Sequence, residues 1–475
     1  MKIAVLSGSP KGELSITLQY VRYLERILPD HEWEILHISR DIQRLEKDPK
    51  AWQGVVNAIA ASKAVLWASP VYYYLVPSQL KRFIELAGER GVTEIFREKY
   101  AAVLLTSVHF FDNTAAEYLH GICDDWGMAY TGEFLAEMND LAREEHRRNL
   151  LFFAGEFLRA AETSVPVARR YEPLPAGRPP CHHAFPGALS NADALSQADP
   201  PPQASNTLPR APRTETRRIV ILTDGKEGNL GAMVDAFAGH FPEPVQIVDL
   251  QELAIQGGCL GCLHCGYDNR CVYNDDVQRI LDTIVAPSDA VVFAGAIVDR
   301  FLSSRWKRYL DRSFVYGHIK GYEGKQIAYI ISGPLRALPN LQIILEAYAQ
   351  VSGGHHVGIV TDEEPERAAA LLVALAERMI RSIDARAQAP APFWGTGGRL
   401  IFRDLVYRLR GIFAADHRFF RRNGLYDYPH KELGNRSFQA FLSFLSLFPP
   451  VRKNLYGRMK ENMLMSIKPY ADGKE

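Results

Sequence analysis

The stretch Lys2-Ile3-Ala4-Val5-Leu6-Ser7-Gly8-Ser9-Pro10-Lys11-Gly12 decides the fold. Lys2–Leu6 is short, apolar after the lysine and partly β-branched, which reads as a buried β-strand. The Ser/Gly/Pro run ends it. Beyond the loop the period changes: Leu18, Val21, Leu24, Ile27 and Leu28 recur at three- and four-residue spacing, as on an amphipathic helix. Strand, small-residue loop, helix opens a doubly wound α/β domain, with the loop at the carboxyl end of the strand facing a helix N-terminus. Free backbone N–H groups, the hydroxyls of Ser7, Ser9, Ser15 and Thr17, and the charge of Lys11 make a candidate anion site there. The plainer alternative is that Ser15 only caps the helix.

Two further loops belong at the same sheet edge. Trp33–Ile38 reads as a strand followed by a polar helix to about Ser62, and Ala64–Ala68 as a wholly apolar strand. That strand runs into Ser69-Pro70-Val71-Tyr72-Tyr73-Tyr74, with a helix from about Ser78. Backbone groups and tyrosine rings there suit the edge and face of a flat polar-edged ring; ordinary Pro-Tyr turn packing is the alternative. Ala101–Ser107 is another buried strand, and His109-Phe110-Phe111-Asp112-Asn113-Thr114 follows it. Open α/β sheets bind ligands where such loops converge. A strand over 127–138 and a helix over 144–162 complete a first domain, residues 1–163.

Residues 164–216 hold 11 of the chain's 28 prolines and no apolar period, so they read as a flexible, partly polyproline linker. A metal role for Cys181-His182-His183 is not expected in that setting. Beyond it the pattern repeats. Ser288–Ala294 lines up without gaps on Ser62–Ala68, and Lys307-Arg308-Tyr309 on Lys81-Arg82-Phe83, at a constant offset of 226 residues. At the first strand, Ile3 against Ile219, the offset is 216, so the second copy carries ten extra residues in between. Its loops differ: Thr223-Asp224-Gly225 brings an acidic residue where the first copy has Ser-Gly-Ser, and Ala296-Ile-Val-Asp299-Arg300 replaces Pro-Val-Tyr-Tyr. Arg300, Lys307, Arg308 and Arg312 are expected on a solvated basic helix face, with a nicotinamide dinucleotide as the sharper alternative. This second domain spans 217–390. The tail, 391–475, is helical, with 13 Lys/Arg against four Asp/Glu between Arg399 and Lys460, interleaved with aromatics. Such a tail packs on its own domain or a sister subunit, or touches an anionic membrane surface; nucleic acid is not expected.

The ten-residue excess falls on Cys259-Leu-Gly-Cys262-Leu-His-Cys265-Gly-Tyr-Asp-Asn-Arg-Cys271, which holds four of the six cysteines. Three tightly spaced thiolates and one further on can hold the corners of an iron–sulfur cube. Zinc more often takes two separated C-x2-C pairs, and a metal-free loop is the third reading. Nothing else in the chain points to an oxidising compartment, which disfavours disulfides. The formal net charge of zero gives no whole-protein field toward nucleic acid or membrane. No apolar run approaches the length of a membrane span, the N-terminal run reads as a strand and not a signal peptide, and the expected compartment is cytoplasmic.

Gly8-Ser9-Pro10-Lys11, Ser69-Pro70-Val71-Tyr72 and Lys81-Arg82-Phe83-Ile84 together resemble the flavodoxin-like fold as used by NAD(P)H-dependent FMN reductases. The cysteine stretch, followed by Asn274-Asp275-Asp276, is similar to that of iron–sulfur flavoproteins. The resemblance covers residues 1–163 and 217–362, and implies two flavodoxin-like doubly wound parallel-sheet domains in tandem plus a helical basic tail. It implies FMN with its phosphate on Ser9, Lys11, Ser15 and Thr17, its isoalloxazine flanked by Pro70, Val71, Tyr72 and Tyr73, and the third loop (Ser107, Phe110, Asp112) closing the other side. It implies a [4Fe-4S] cluster on Cys259, Cys262, Cys265 and Cys271, NAD(P)H as electron donor, and a small-molecule or protein electron partner. No side chain need act as nucleophile or general base. In two respects the chain departs from the family: the flavin and cysteine motifs are split between copies, and Ile16 stands where such loops often carry Asn. Family dimers set the cluster of one subunit near the flavin of the other. The two copies are therefore expected to form an internal pseudo-dimer with Cys259–Cys271 toward Tyr72–Tyr73; a homodimer of the whole chain is a further possibility. The readings from other classes are a non-catalytic flavin or redox sensor, and a zinc-stapled interaction protein whose tail binds a membrane surface or partner.

Overall fold

The computed structural model describes residues 1–177, 216–319, 321–427 and parts of 437–457. Five strands form the first sheet: β1 (Lys2–Ser7), β2 (Glu32–Leu36), β3 (Ala64–Pro70), β4 (Tyr100–Ser107) and β5 (Ala129–Glu137). All pair in parallel, in the order β2-β1-β3-β4-β5. The second sheet contains β6 (Ile219–Thr223), β7 (Gln246–Asp249), β8 (Ala290–Val298), β9 (Phe301–Leu302), β10 (Gln326–Ser332) and β11 (His355–Thr361). Its order, β7-β6-β8-β10-β11, is the same, with β9 turning back on β8 as a short hairpin. This is the flavodoxin-like strand order, present twice.

The copies match residue by residue. Ile3 pairs with Ala64 and Ile219 with Ala290, which reproduces both offsets read from the sequence. The edge strands carry the same register shift, between Ala101 and Ala102 in one copy and between Ile327 and Ala328 in the other. The turn after the third strand is also shared: Tyr73 and Tyr74 have φ of 42° and 67°, Asp299 and Arg300 of 43° and 61°. Both residues of each pair sit in the left-handed region, as a tight two-residue hairpin turn requires.

The copies meet face to face through the Ser78–Glu89 and Ser304–Arg312 helices, by reciprocal contacts at the 226-residue offset. Ser78 N donates to Asp311 Oδ2 at 2.7 Å, and Ser304 N to Glu85 Oε1 at 2.5 Å. Lys81 Nζ donates to Val298 O at 2.8 Å, and Lys307 Nζ to Tyr72 O at 2.7 Å. Each lysine also pairs with the carboxylate one turn on in its own helix, Glu85 or Asp311, and both ion pairs are buried. Residue i meeting j while j's equivalent meets i's is the signature of an isologous contact, here within one chain. One apolar cluster, including Phe83, Leu105, Trp306 and Ile331, spans both copies, and each sheet's outer face has its own.

Several expectations need correction. Ile38 begins a helix instead of ending a strand, and the polar helix is two, Ile38–Lys47 and Pro49–Ala61, because Asp48 caps the second at Lys50 N and Pro49 cannot continue the first. The basic face is not solvated: Lys307, Arg312 and Arg300 are all buried, each paired with an aspartate, and Arg308 is half-buried. Lys307 and Arg300 reach across to the first copy and Arg312 holds the base of the cysteine stretch, which removes the grounds for a dinucleotide there. The start of the linker is docked: Asp124 Oδ2 accepts Arg170 N and Tyr171 N, and Asp299 Oδ1 accepts Gly177 N at 2.6 Å. Residues 178–215, with Cys181-His182-His183, lie outside the described residues. Residues 1–417 form one compact unit and 418–475 another. The tail is therefore divided: the Phe393–Arg408 helix belongs to the first unit. The second includes a helix over Pro449–Gly457. Among the described residues no helix is long and apolar enough to cross a membrane.

Candidate functional site

At the carboxyl edge of the first sheet lies a cavity of about 330 Å³, within the range of small-molecule sites. Its polar end is the loop after β1. Only glycine fits at position 8, because a Cβ there would lie 2.5 Å from Ser69 Oγ and 2.7 Å from Leu80. Ser15 caps the Ile16–Ile27 helix through Leu18 N, at 3.4 Å, and lines the cavity as well, so the capping and site readings hold together. Ser9, Lys11 and Thr17 line the same end, and Thr17 Oγ1 lies 2.6 Å from Thr106 Oγ1. Pro70, Val71, Tyr72 and Tyr73 form one wall, and Ser107 and Phe110 another.

Of the eleven residues expected at the flavin site, Asp112 alone does not line the cavity. Its carboxylate turns inward, accepting from Ser107 Oγ at 3.0 Å and meeting His109 Nδ1 at 2.8 Å, and so staples the third loop. Tyr72 Oη is buried at this site and has no hydrogen-bond partner among the described residues. A buried hydroxyl left unpaired costs of order 1–3 kcal/mol, so it marks a place for a polar ligand atom. Burial, and then the neighbouring Cys259 and Asp311, push its phenol well above the ordinary value.

The cysteine stretch closes the cavity from the other copy. Gln79 Nε2 donates to Cys259 O at 3.0 Å, and Gln43 Nε2 to Gln256 O at 3.0 Å. Arg312 anchors its base, donating to Gly257 O and to both oxygens of Asp275, each at 2.9 Å. Gly261, at φ 62°, lies against the flavin-site loops: a Cβ there would stand 1.9 Å from Tyr72 Oη and 2.9 Å from Lys11 Cε. Left-handed backbone at Gly261, Leu263 and Asn269 curls the stretch, and all four cysteines line one small cavity of about 30 Å³ with Tyr273 and Arg312. The four are free thiols. Burial pushes Cys259 and Cys265 up to about 12, and neighbouring cysteines add to both shifts. Deprotonating such a set calls for a compensating positive centre, which is what a metal cluster supplies. The donor chemistry, four cysteines facing one void, fits a cluster. Among the described residues no three His, Cys, Asp or Glu side chains stand close enough to hold a single metal ion.

At the second copy's equivalent edge the loops take up their own space. Arg300, the counterpart of Tyr74, turns to Asp125 (2.7 and 2.6 Å) and to Glu172 O (2.6 Å). Its phosphate-type loop folds back on its own helix, with Lys226 O 2.0 Å from where a Cβ on Gly231 would be.

The far wall of the first cavity was not legible in the sequence. It is aromatic: Phe314, Phe402, Phe413 and Tyr348, with His318 among them. His318 Nδ1 lies 2.8 Å from Asp416 Oδ2, which also accepts His318 N at 3.1 Å. Histidine and aspartate are 98 residues apart, so no motif announces them. The one local signal is Gly317, where φ is 59° and a Cβ would stand 2.3 Å from the Asp416 carboxylate.

A doubly wound sheet with a hydroxyl- and lysine-lined loop at its switch point, beside a tyrosine-walled cavity, defines a flavodoxin-like mononucleotide-binding protein. Comparison with known proteins agrees. The profile of the NADPH-dependent FMN reductase family matches residues 1–138. An iron-sulfur flavoprotein of Archaeoglobus fulgidus is 30% identical over 166 residues, 32% of this chain and 74% of that protein. The chain belongs to this family of NAD(P)H-dependent FMN oxidoreductases. Among solved structures, an NADH:FMN oxidoreductase in its apo form is 19% identical, with 33% of this chain and 87% of that one covered, at a TM-score of 0.29. A flavoenzyme NAD(P)H:(acceptor) oxidoreductase from Paracoccus denitrificans is 18% identical, with 33% and 97% covered, at a TM-score of 0.28.

Proposed function

We propose that the chain is an electron-transfer iron–sulfur flavoprotein that holds FMN in the first copy and a [4Fe-4S] cluster on Cys259, Cys262, Cys265 and Cys271 in the second. NAD(P)H is its reductant, and a small molecule or protein carrier its acceptor. The carrying observation is that Cys259 and Gly261 share a cavity with Lys11 and Tyr72. Ser9, Lys11, Ser15 and Thr17 would take the phosphate on hydroxyls and a charge at a helix N-terminus. Tyr72 Oη would pair with a polar atom of the flavin, and Pro70, Val71 and Tyr73 would hold its ring. Bound FMN supplies hydride and one-electron chemistry, and the protein supplies position and electrostatics. Gly261 lets the cysteine loop approach the flavin loops without side chains between them, and Phe110, Phe402 and Phe413 keep water from the apolar end. Arg300, turned to Asp125 and Glu172 where the first copy has Tyr74, supports one flavin per chain. The cytoplasm, where thiolates persist, is the proposed compartment.

Anaerobic purification with flavin, iron and sulfide analysis tests this. The expected yield is one FMN and four iron per chain, a stoichiometry set by the cluster type. Cys262→Ser should lose iron and keep FMN. A colourless protein, or loss of both groups together in Cys262→Ser, would refute the division between copies.

A further inference from the structure

We propose that His318 is a catalytic acid, held by Asp416, that gives a proton to a quinone-type acceptor in the apolar end of the flavin cavity. The proposal rests on the flavin reading above and adds a residue to it.

His318 is fixed on one side only. Asp416 Oδ2 takes both its Nδ1 and its backbone N–H, and both side chains are buried. With Nδ1 committed to a carboxylate, the second ring nitrogen is set by geometry as the exchanging one. Nε2 makes no hydrogen bond among the described residues, and the residue lines the cavity. The ring is gripped by Phe402 at 4.6 Å, Phe413 at 4.9 Å and Phe314 at 5.5 Å between centroids. Two of these lead straight back to the flavin walls. Phe314 packs on Tyr73 at 6.1 Å, and Phe402 on Phe110 at 4.7 Å. Each expected flank of the flavin ring is thus one aromatic away from His318. Leu405 and Leu409 complete that end. Walls of this kind suit a flat apolar acceptor, and they leave a carbonyl oxygen few donors besides the imidazole.

The reaction balances with one acid. Quinone, NAD(P)H and a proton give hydroquinone and NAD(P)+. The hydride equivalent comes from the nicotinamide. The proton comes from Nε2, the N–H electron pair remaining on the ring while a new O–H bond forms at the carbonyl, and solvent then restores the proton. A positioned general acid is worth about 10²–10⁴-fold.

The test compares two acceptors on the intact, FMN-loaded chain: tetramethyl-1,4-benzoquinone, whose blocked ring positions prevent thiol addition, and ferricyanide, which takes an electron without a proton. In His318→Asn the amide can keep the Asp416 bond while nothing replaces Nε2. The ratio of quinone to ferricyanide rates is expected to fall about 100-fold. In His318→Gln the amide nitrogen can stand near Nε2, so quinone binding by equilibrium dialysis should be kept while the ratio falls equally. Independently of turnover, nitrogen NMR of the wild type should show the His318 Nε2 signal shifting when the quinone is added. Equal slowing with both acceptors, an unchanged ratio, or a silent Nε2 would overturn the proposal. If the wild type takes up no FMN, the flavin reading falls by itself, and the Nε2 response to the quinone still decides this one.

Discussion

Methionine in place of Lys307, and separately of Lys81, gives two perturbations that the pseudo-two-fold axis makes equivalent for stability and unequal for flavin. Each lysine is fully buried and joins a carboxylate of its own helix to a carbonyl of the other copy: Asp311 and Tyr72 O for Lys307, Glu85 and Val298 O for Lys81. Methionine keeps the length of the stem and removes the charge. What remains is a buried carboxylate, Asp311 held by Ser78 and Glu85 by Ser304 with Arg82 Nη1 at 3.4 Å, and a carbonyl that has lost its lysine donor. A charged hydrogen bond is worth about 1.5–3 kcal/mol and an orphaned carbonyl about 1–3, which together match the roughly 3–5 kcal/mol for breaking a buried ion pair from one side. Urea unfolding followed by circular dichroism should therefore give losses of that size for both variants. The flavin effect differs because the freed carbonyls differ. Tyr72 O belongs to the turn whose next residues, Tyr73 and Tyr74, sit at φ of 42° and 67°, and Lys307 is what pins that turn from outside. Losing even about 1.4 kcal/mol of that support raises the FMN dissociation constant about tenfold. Lys81 pins the Asp299–Arg300 turn instead, so Lys81→Met should change FMN affinity less than about twofold. Fluorescence titration of FMN into the deflavinated variants reads this. Equal weakening in both, or stability losses under about 1 kcal/mol, would refute the argument from the reciprocal interface.

Three further outcomes are expected. Gly261→Ala places a Cβ at φ 62° and 1.9 Å from Tyr72 Oη, so it should weaken FMN at least tenfold by titration, whereas Gly225→Ala, whose Cβ meets only Gln251 at 3.3 Å, should not. Arg312→Leu removes the donor to Gly257 O and Asp275, and should cost about 3–5 kcal/mol by urea unfolding and lower the iron content while sparing FMN. His356 Nε2 is buried with no hydrogen bond among the described residues, and burial holds its pKa below the ordinary value. The unfolded chain takes up that proton near pH 6.5 while the folded chain resists it, so stability is flat above that pH and falls as the pH drops below it. His356→Gln should flatten that part of the urea-midpoint profile between pH 7 and 5.

What the sequence made legible was periodic or repeated. Apolar runs gave the strands because a parallel sheet buries both faces. The gapless match of Ser62–Ala68 to Ser288–Ala294 carried over into strand register, because an offset kept across a strand and its helix leaves no room for a bulge between them. The cavity loops were legible because each follows a strand end. Lys307 was misread, since a lysine facing a second copy and one facing water share the same helical spacing. His318, Phe402 and Asp416 were missed for another reason. They meet only after the tail helix and the 313–319 segment fold over the first copy, and none of them repeats.

The axis also accounts for the motifs being split. In an isologous pair, a loop that leaves the second strand of one copy arrives over the third-strand turn of the other. Here Gly258 lies on Ser78 and Gln79, and Gly261 on Tyr72. A cysteine insertion in the first copy would have faced the Asp299–Arg300 turn, where Arg300 already occupies the ground with Asp125 and Glu172. In two separate subunits every cavity and every cysteine loop would come in duplicate. Joining the copies in one chain lets each lose what the other keeps. The Asp299–Arg300 turn shows this: where the first copy has Tyr74 on the cavity, the second has Arg300 paired with Asp125 of the other copy.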